Sequence, residues 1–216
     1  MKRRGLLITL EGIDGSGKST QLRPLTEYLK KRGLRVKVTR EPGGSRVGEQ
    51  IRGILLGMGT RSLAPHAELA LMYAARAQHV DEIVRPALSK GITVLSDRYN
   101  DASFAYQGYG RQLGTTAVRR FDEVICASTQ PDLTLLLDLP ARRALSRARR
   151  REKRQNSGRG RFEAESLKFH ERVRRGYLAI ARHDPKRVKV IRADRSPRDV
   201  QAEIRKHVEA LLAQSG

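Results

Sequence analysis

Short apolar runs recur along the chain, and each is followed by a stretch with helical spacing. LLITL, within Gly5–Leu10, reads as a strand, and the segment after it as a helix over Lys18–Arg32 with Gly33 as C-cap. VKVT (Val36–Thr39) then completes a βαβ unit. Pro24 falls inside the first helix, where the spacing of Leu22, Leu25 and Leu29 predicts a kink and not a break. GEQIRGILLG reads as a short helix. Pro65–Ser89 reads as a long one, with Leu69, Met72, Tyr73, Arg76, Val80, Ile83 and Val84 near one face. Gly91 stops it before a strand over Ile92–Leu95 that ends in Ser96-Asp97-Arg98. NDASFAYQGYGRQLG is dense in polar and aromatic groups, and its irregular pattern predicts a non-core segment. Thr115–Ala127 (helix), Leu133–Leu139 (strand), ARRALSRARRR (helix), Phe162–Arg182 (helix), Val188–Ile191 (strand) and Pro197–Ala213 (helix) follow. QNSGRG, Gln155–Gly160, reads as flexible. This alternation predicts an α/β fold with a parallel sheet. With no repeat or linker, it predicts one domain over residues 1–216.

Composition changes this picture in two respects. The formal charge of +21 points to polyanionic partners, either small phosphates or nucleic acid. Between Arg142 and Arg161 ten Lys/Arg face one acid, Glu152, so that segment holds +9 and the remaining +12 is spread over the surface. No apolar run approaches the roughly 20 residues of a membrane span, and no signal peptide is legible. A single cysteine, Cys126 in the apolar EVICA, excludes an internal disulfide, suits a reducing cytoplasm and reads as a buried structural thiol.

The candidate chemistry begins at Gly12-Ile13-Asp14-Gly15-Ser16-Gly17-Lys18-Ser19, which matches G-x-x-x-x-G-K-[ST] between a strand and a helix. Glycines let backbone N–H groups curl around phosphate oxygens, and the helix N-terminus adds partial positive charge. Lys18 is placed to reach the β/γ-phosphates and the Ser19 hydroxyl to hold Mg²⁺, with Thr20 next in line. The segment therefore predicts binding of a nucleoside triphosphate. Asp97 ends a Walker-B-type strand and is a second Mg²⁺ candidate. Glu41, in REPGGS, offers a carboxylate at a strand's C-terminal end, where open α/β sheets bind ligands; an ordinary surface turn fits the same residues. Arg76 lies within an apolar stripe, either snorkelling at its edge or buried against a ligand, and the pattern favours the first. A short domain with a basic, Gly-containing insertion between two late helices reads as a kinase with a lid (about residues 147–163). An acceptor that is itself a phosphate needs charge neutralisation more than a general base, which suits Arg76, Arg98 and the arginines from Arg147 to Arg161, acting in cis.

EGIDGSGKST, TREPGGS, ARAQHV, DRYNDASFAYQGYGR and RFEAESLKFHERVRRGYL, in this order and spacing, resemble the thymidylate kinase family over nearly the whole chain. The resemblance implies an open five-stranded parallel sheet with helices on both faces, ATP·Mg²⁺ as donor and dTMP as acceptor. It implies that Asp14 contacts the deoxyribose 3′-hydroxyl, Arg98 clamps the acceptor phosphate and Arg76 hydrogen-bonds a pyrimidine carbonyl. Ser103 and Gln107 would lie near the base, Tyr106 near the sugar and Glu41 along the sugar–phosphate side. Gly15 stands where one branch of the family carries an arginine, so the chain resembles the branch that puts its catalytic arginines in the lid, with Arg149, Arg151 and Arg161 as candidates. Met72 stands where the family commonly stacks an aromatic residue on the base. The resemblance further implies a homodimer through the long helices.

Two other functions fit parts of the sequence. A kinase of another pyrimidine monophosphate, such as dUMP, differs by one methyl group at the base pocket. A nucleic-acid-binding NTPase would use the basic insertion, but between Arg142 and Arg161 no aromatic residue is present to stack bases, which leaves only nonspecific attraction.

Overall fold

The computed structural model describes residues 4–57, 63–126, 128–155 and 161–215. The five apolar runs form one parallel sheet in the order β2-β3-β1-β4-β5. The strands are β1 (Leu7–Glu11), β2 (Val36–Arg40), β3 (Thr93–Asp97), β4 (Leu133–Asp138) and β5 (Val188–Arg192). The central strands are near-continuous apolar runs because helices cover both faces of the sheet. Successive residues feed opposite cores: Leu7 and Val94 pack with Tyr73, Val80, Tyr99 and Cys126, whereas Ile8, Leu10 and Leu95 pack with Leu25, Phe169 and Val173. Burial pushes the Cys126 thiol up to about 12, in keeping with an inert structural group.

Helix α1 (Lys18–Lys31) follows β1 and continues through Pro24 without a break. Ser45 caps α2 (Arg46–Leu56) by accepting from Gly48 N at 3.0 Å. The long helix is three pieces: α3 (Pro65–His79), a π-helical turn over Val80–Val84 and α4 (Arg85–Ser89). The segment read as non-core is instead helical and largely buried. It forms α5 (Asn100–Ser103) and a π-helical turn over Phe104–Gly110, and its polar groups satisfy one another or their neighbours. Asn100, for example, donates to Gln130 at 2.8 Å, and Asp101 holds Arg187 through contacts of 2.7 and 3.0 Å. The remaining helices are α6 (Thr115–Cys126), α7 (Ala141–Gln155), α8 (Leu167–His183) and α9 (Pro197–Ser215). Helix α8 starts five residues later than the sequence predicts, because Ser166 accepts from Phe169 N and sets the N-terminus there. The segment read as flexible lies mostly in 156–160, outside the described residues.

Residues just past the ends of β1, β2 and β3 converge at one edge of the sheet. Register aligns Leu10 with Asp97 and Arg40 with Asp97, and the ladder continues through Arg98 N to Leu10 O (3.0 Å) and Glu41 N to Asp97 O (2.9 Å). The phosphate loop, Asp97-Arg98 and Glu41 are therefore neighbours by topology.

Candidate active site

A cavity of about 860 Å³ opens at that edge. Its walls are the loop residues Asp14, Gly15, Gly17, Lys18, Ser19 and Thr20, with Arg40 and Glu41 after β2, Arg52 of α2 and Met72 and Arg76 of α3. Asp97, Arg98, Ser103, Tyr106 and Gln107 line it from the other side, and Arg147, Arg151, Phe162 and Glu163 close over it. Gly12, Ile13 and Ser16 are not among these walls: Ile13 packs into the core, and Gly12 offers its carbonyl. Ser16 Oγ, fully buried, has no hydrogen-bond partner.

The loop conformation demands its glycines. Gly17 starts α1 at φ 103°. Gly15 has φ +81°, and a Cβ there would lie 2.0 Å from Ala144 O on α7. The arginine that one branch of the resembled family carries at this position has no room while α7 is packed as it is. Lys18 Nζ, buried, donates to Gly12 O (2.9 Å) and Ile13 O (3.3 Å). Burial, and then Arg98, lowers its pKa, while Asp97, Asp14 and Glu11 oppose the shift.

Arg98 is the hub of the site. It is a non-glycine residue at φ 71°, a left-handed conformation held by its N–H to Leu10 O and by Ser96 Oγ donating to its carbonyl at 2.7 Å. Its Nη1 donates to Gly12 O (2.9 Å) and the Tyr177 hydroxyl (3.0 Å), and its Nη2 to Asp14 (2.8 Å) and the Tyr106 hydroxyl (3.0 Å). Both tyrosines pass the bond on, Tyr106 to Asp14 (3.1 Å) and Tyr177 to Glu11 (2.7 Å). Burial alone would raise Asp14, yet Arg98 and Lys18 hold its carboxyl well below the usual range.

Glu11, the last residue of β1, is fully buried, accepting from Tyr177 and from Tyr99 N at 2.7 Å. Burial pushes it from 4.5 up to about 7, against the pull of Arg98. Between those values the folded chain keeps a proton that the unfolded chain has lost, so this residue makes stability fall as pH rises through the window, by on the order of 3 kcal/mol in all. Glu11→Gln mimics the protonated carboxyl. Its Tm relative to the wild type is expected to climb from about pH 5 to about pH 7.5; a difference independent of pH would contradict the assignment.

Arg76 is not at the edge of its stripe. It is 2% exposed, and every nitrogen is engaged: Nε to Glu41 (2.7 Å), Nη1 to Ser103 Oγ (2.9 Å) and Nη2 to Tyr99 O (3.0 Å). A buried charge needs such a partner set, and Glu41 supplies the counter-charge that the stripe lacks. Glu41 is therefore no surface turn. Burial opposes its ionisation, but Arg76 and His79 lower its pKa. His79 Nδ1 lies 2.8 Å from Glu41, and its Nε2 lies 2.7 Å from Thr39 Oγ1. The sequence reading missed His79, although it follows Arg76 by one helical turn and so shares its face.

The candidate arginines Arg149, Arg151 and Arg161 separate. Arg151 lines the cavity, with its Nη2 3.8 Å from Glu163. Arg149 borders a different hollow, with Arg142 and Arg150. Arg161 is buried away from the cavity walls, donating to Leu55 O (2.7 Å) and ion-paired to Glu68 (2.6 Å). Arg147, donating to Ala193 O at 3.0 Å, occupies the wall instead. Arg40, the first residue of REPGGS, and Arg52, which lies in no motif, are also on the wall and have no role in the sequence reading. For a cation, Ser19 and Asp97 offer one hydroxyl and one carboxylate. The described residues contain no cluster of three or more His, Cys, Asp or Glu that could hold a metal. That sparse oxygen set fits a hard cation that fills its shell with water and phosphate oxygens.

The sheet order, the phosphate loop and a second cationic wall define a P-loop phosphotransferase of the nucleoside monophosphate kinase class. A family model described as thymidylate kinase matches residues 10–204. The thymidylate kinase of Desulfovibrio desulfuricans is 48% identical over 213 residues, which cover 98% of each chain. That of Nitratidesulfovibrio vulgaris is 50% identical over 209 residues, covering 96% of this chain and 93% of the relative. The crystal structure of thymidylate kinase from Ehrlichia chaffeensis superposes with a TM-score of 0.76 at 31% identity, covering 95% of this chain and 99% of that one. The chain belongs to the thymidylate kinase family, and its activity is the ATP-dependent phosphorylation of dTMP to dTDP.

Proposed function

We propose that the two walls of the cavity divide this reaction between them. ATP lies on the phosphate loop, with backbone N–H groups and Lys18 on its phosphates. The dTMP phosphate lies against Arg98, its 3′-hydroxyl on Asp14, and its base among Met72, Arg76, Ser103 and Gln107. Ser19 and Asp97 would hold Mg²⁺, which would supply charge neutralisation for the phosphates. An oxygen of the dTMP phosphate attacks the γ-phosphorus; one P–O bond forms, the bond to the β-phosphate oxygen breaks, and ADP leaves. Two unit charges 4 Å apart repel by about 4 kcal/mol at an effective dielectric near 20. Lys18, Arg98, Arg147 and Arg151 offset that repulsion, and Arg40 and Arg52 add to the field.

The supporting observation is that Gly12 O accepts from both Lys18 and Arg98, each at 2.9 Å. One carbonyl thus joins the donor side to the acceptor side and sets their spacing. Asp14→Ala is expected to raise KM for dTMP by about 10- to 100-fold, the size of a charge-assisted hydrogen bond, with ATP affinity changed less than about threefold. Equal loss of both ligands would remove Asp14 from the sugar.

We also propose a cytoplasmic location, which the single cysteine supports, since one thiol suits a reducing compartment. We also propose a homodimer, as the resemblance implies through the long helices; the apolar side chains that α6 leaves exposed, Val124 at 82% and Phe121 at 38%, offer a further contact surface. Sedimentation equilibrium tests it, with a monomer at assay concentration as the contrary result.

A further inference from the structure

Glu68 of α3 is fully buried and serves three partners from other parts of the chain. Gln107 Nε2 donates to its Oε1 at 2.8 Å. Arg111 bonds it through Nε at 3.1 and 3.2 Å, and Arg161 pairs with it at 2.6 Å. Ion-paired to two guanidinium groups, Glu68 offers only acceptor oxygens. The bond from Nε2 to Glu68 therefore turns the amide nitrogen toward α3 and sets Oε1 on the opposite side of the group, at the cavity that Gln107 lines. Arg76, across the same pocket, can only donate.

From this chemistry we propose that Glu68 is a specificity-determining positioning residue: it fixes the Gln107 amide as an acceptor, so that the pocket selects a pyrimidine with a ring N–H beside a carbonyl and rejects cytosine. Thymine and uracil present N3–H next to a carbonyl. Cytosine presents a bare N3 beside an amine, which would oppose acceptor to acceptor and donor to donor. The proposal rests on the reading that places the base against Gln107 and Arg76. Arg161 pairs with the same carboxylate, so the segment that carries it and the selecting contact share one anchor.

The test is kcat/KM for dCMP relative to dTMP in three proteins. Glu68→Gln can donate as well as accept, so it frees the Gln107 amide to turn, and the ratio should rise about tenfold. The double variant Glu68→Gln/Gln107→Glu restores an acceptor at the base, and its ratio should return toward the wild type, which a purely structural role for Glu68 does not predict. Arg111→Met, which removes a partner of Glu68 but not its bond to Gln107, should lose stability and keep the wild-type ratio. An unchanged ratio in Glu68→Gln, or a wild type indifferent to the two nucleotides, overturns the proposal. If Glu68→Gln does not fold, a crystal structure of the wild type with dTMP decides: Gln107 Nε2 on Glu68 supports it, and Gln107 turned away from Glu68 overturns it. Absence of any dTMP phosphorylation by the wild type would instead retire the placement of the base.

Discussion

Lys18→Ala is expected to lower kcat by about 10³-fold while ATP affinity falls far less, because the ammonium acts where charge develops on the transferring phosphoryl group. Its bonds to Gly12 O and Ile13 O hold the side chain over the loop, so the cation is in place without reorganisation. Deleting it removes positive charge from a wall that also carries Asp14 and Asp97, both of which act on Lys18. The remaining acidic groups would then repel the phosphates. Lys18→Arg should not rescue: a planar guanidinium does not fit the two loop carbonyls that the ammonium serves. Turnover within about tenfold of the wild type would take Lys18 out of the chemical step.

Arg98→Met is expected to have the second large effect, a fall of about 10³-fold in kcat/KM for dTMP. This guanidinium reaches Gly12 O, Asp14, Tyr106 and Tyr177 at once. Its loss strips the first counter-charge from the Asp14 carboxyl, whose pKa Arg98 and Lys18 lower against burial. Arg98→Lys should recover little, since one ammonium cannot span four acceptors in the plane of a fork. The strained φ of 71° makes a further point: the backbone at residue 98 is held left-handed so that this side chain aims across the sheet edge. Recovery to within a few-fold in Arg98→Lys would show that charge alone matters at this position.

Local patterns carried most of the architecture. The five apolar runs, the glycine spacing of the loop and the terminal aspartate of the third run are all short-range signals, and each stands where the sequence placed it. What escaped depends on partners distant in sequence. Arg76 in an apolar stripe has two physical solutions, and the choice is made by Glu41, 35 residues away. The segment from Asn100 to Gly110 defeated a pattern reading because a π-helical turn shifts its period and its polar side chains are matched by Asp122, Gln130 and Arg187. Arg161 shares its composition with its neighbours, yet Glu68 draws it into the interior, and Arg147, one turn before Arg151, takes the wall. Glu11 was legible as the end of a strand, but its titration near neutrality needs the burial that only the packed sheet provides.

The central claim is that one cavity brings ATP and dTMP together for direct transfer. It is tested most directly by following ADP release from ATP·Mg²⁺ with dTMP, dUMP, dCMP, dGMP, dAMP and no acceptor. The account predicts release that depends on the acceptor, strongest with dTMP, matched one for one by dTDP. ADP release of equal rate with no acceptor would contradict it.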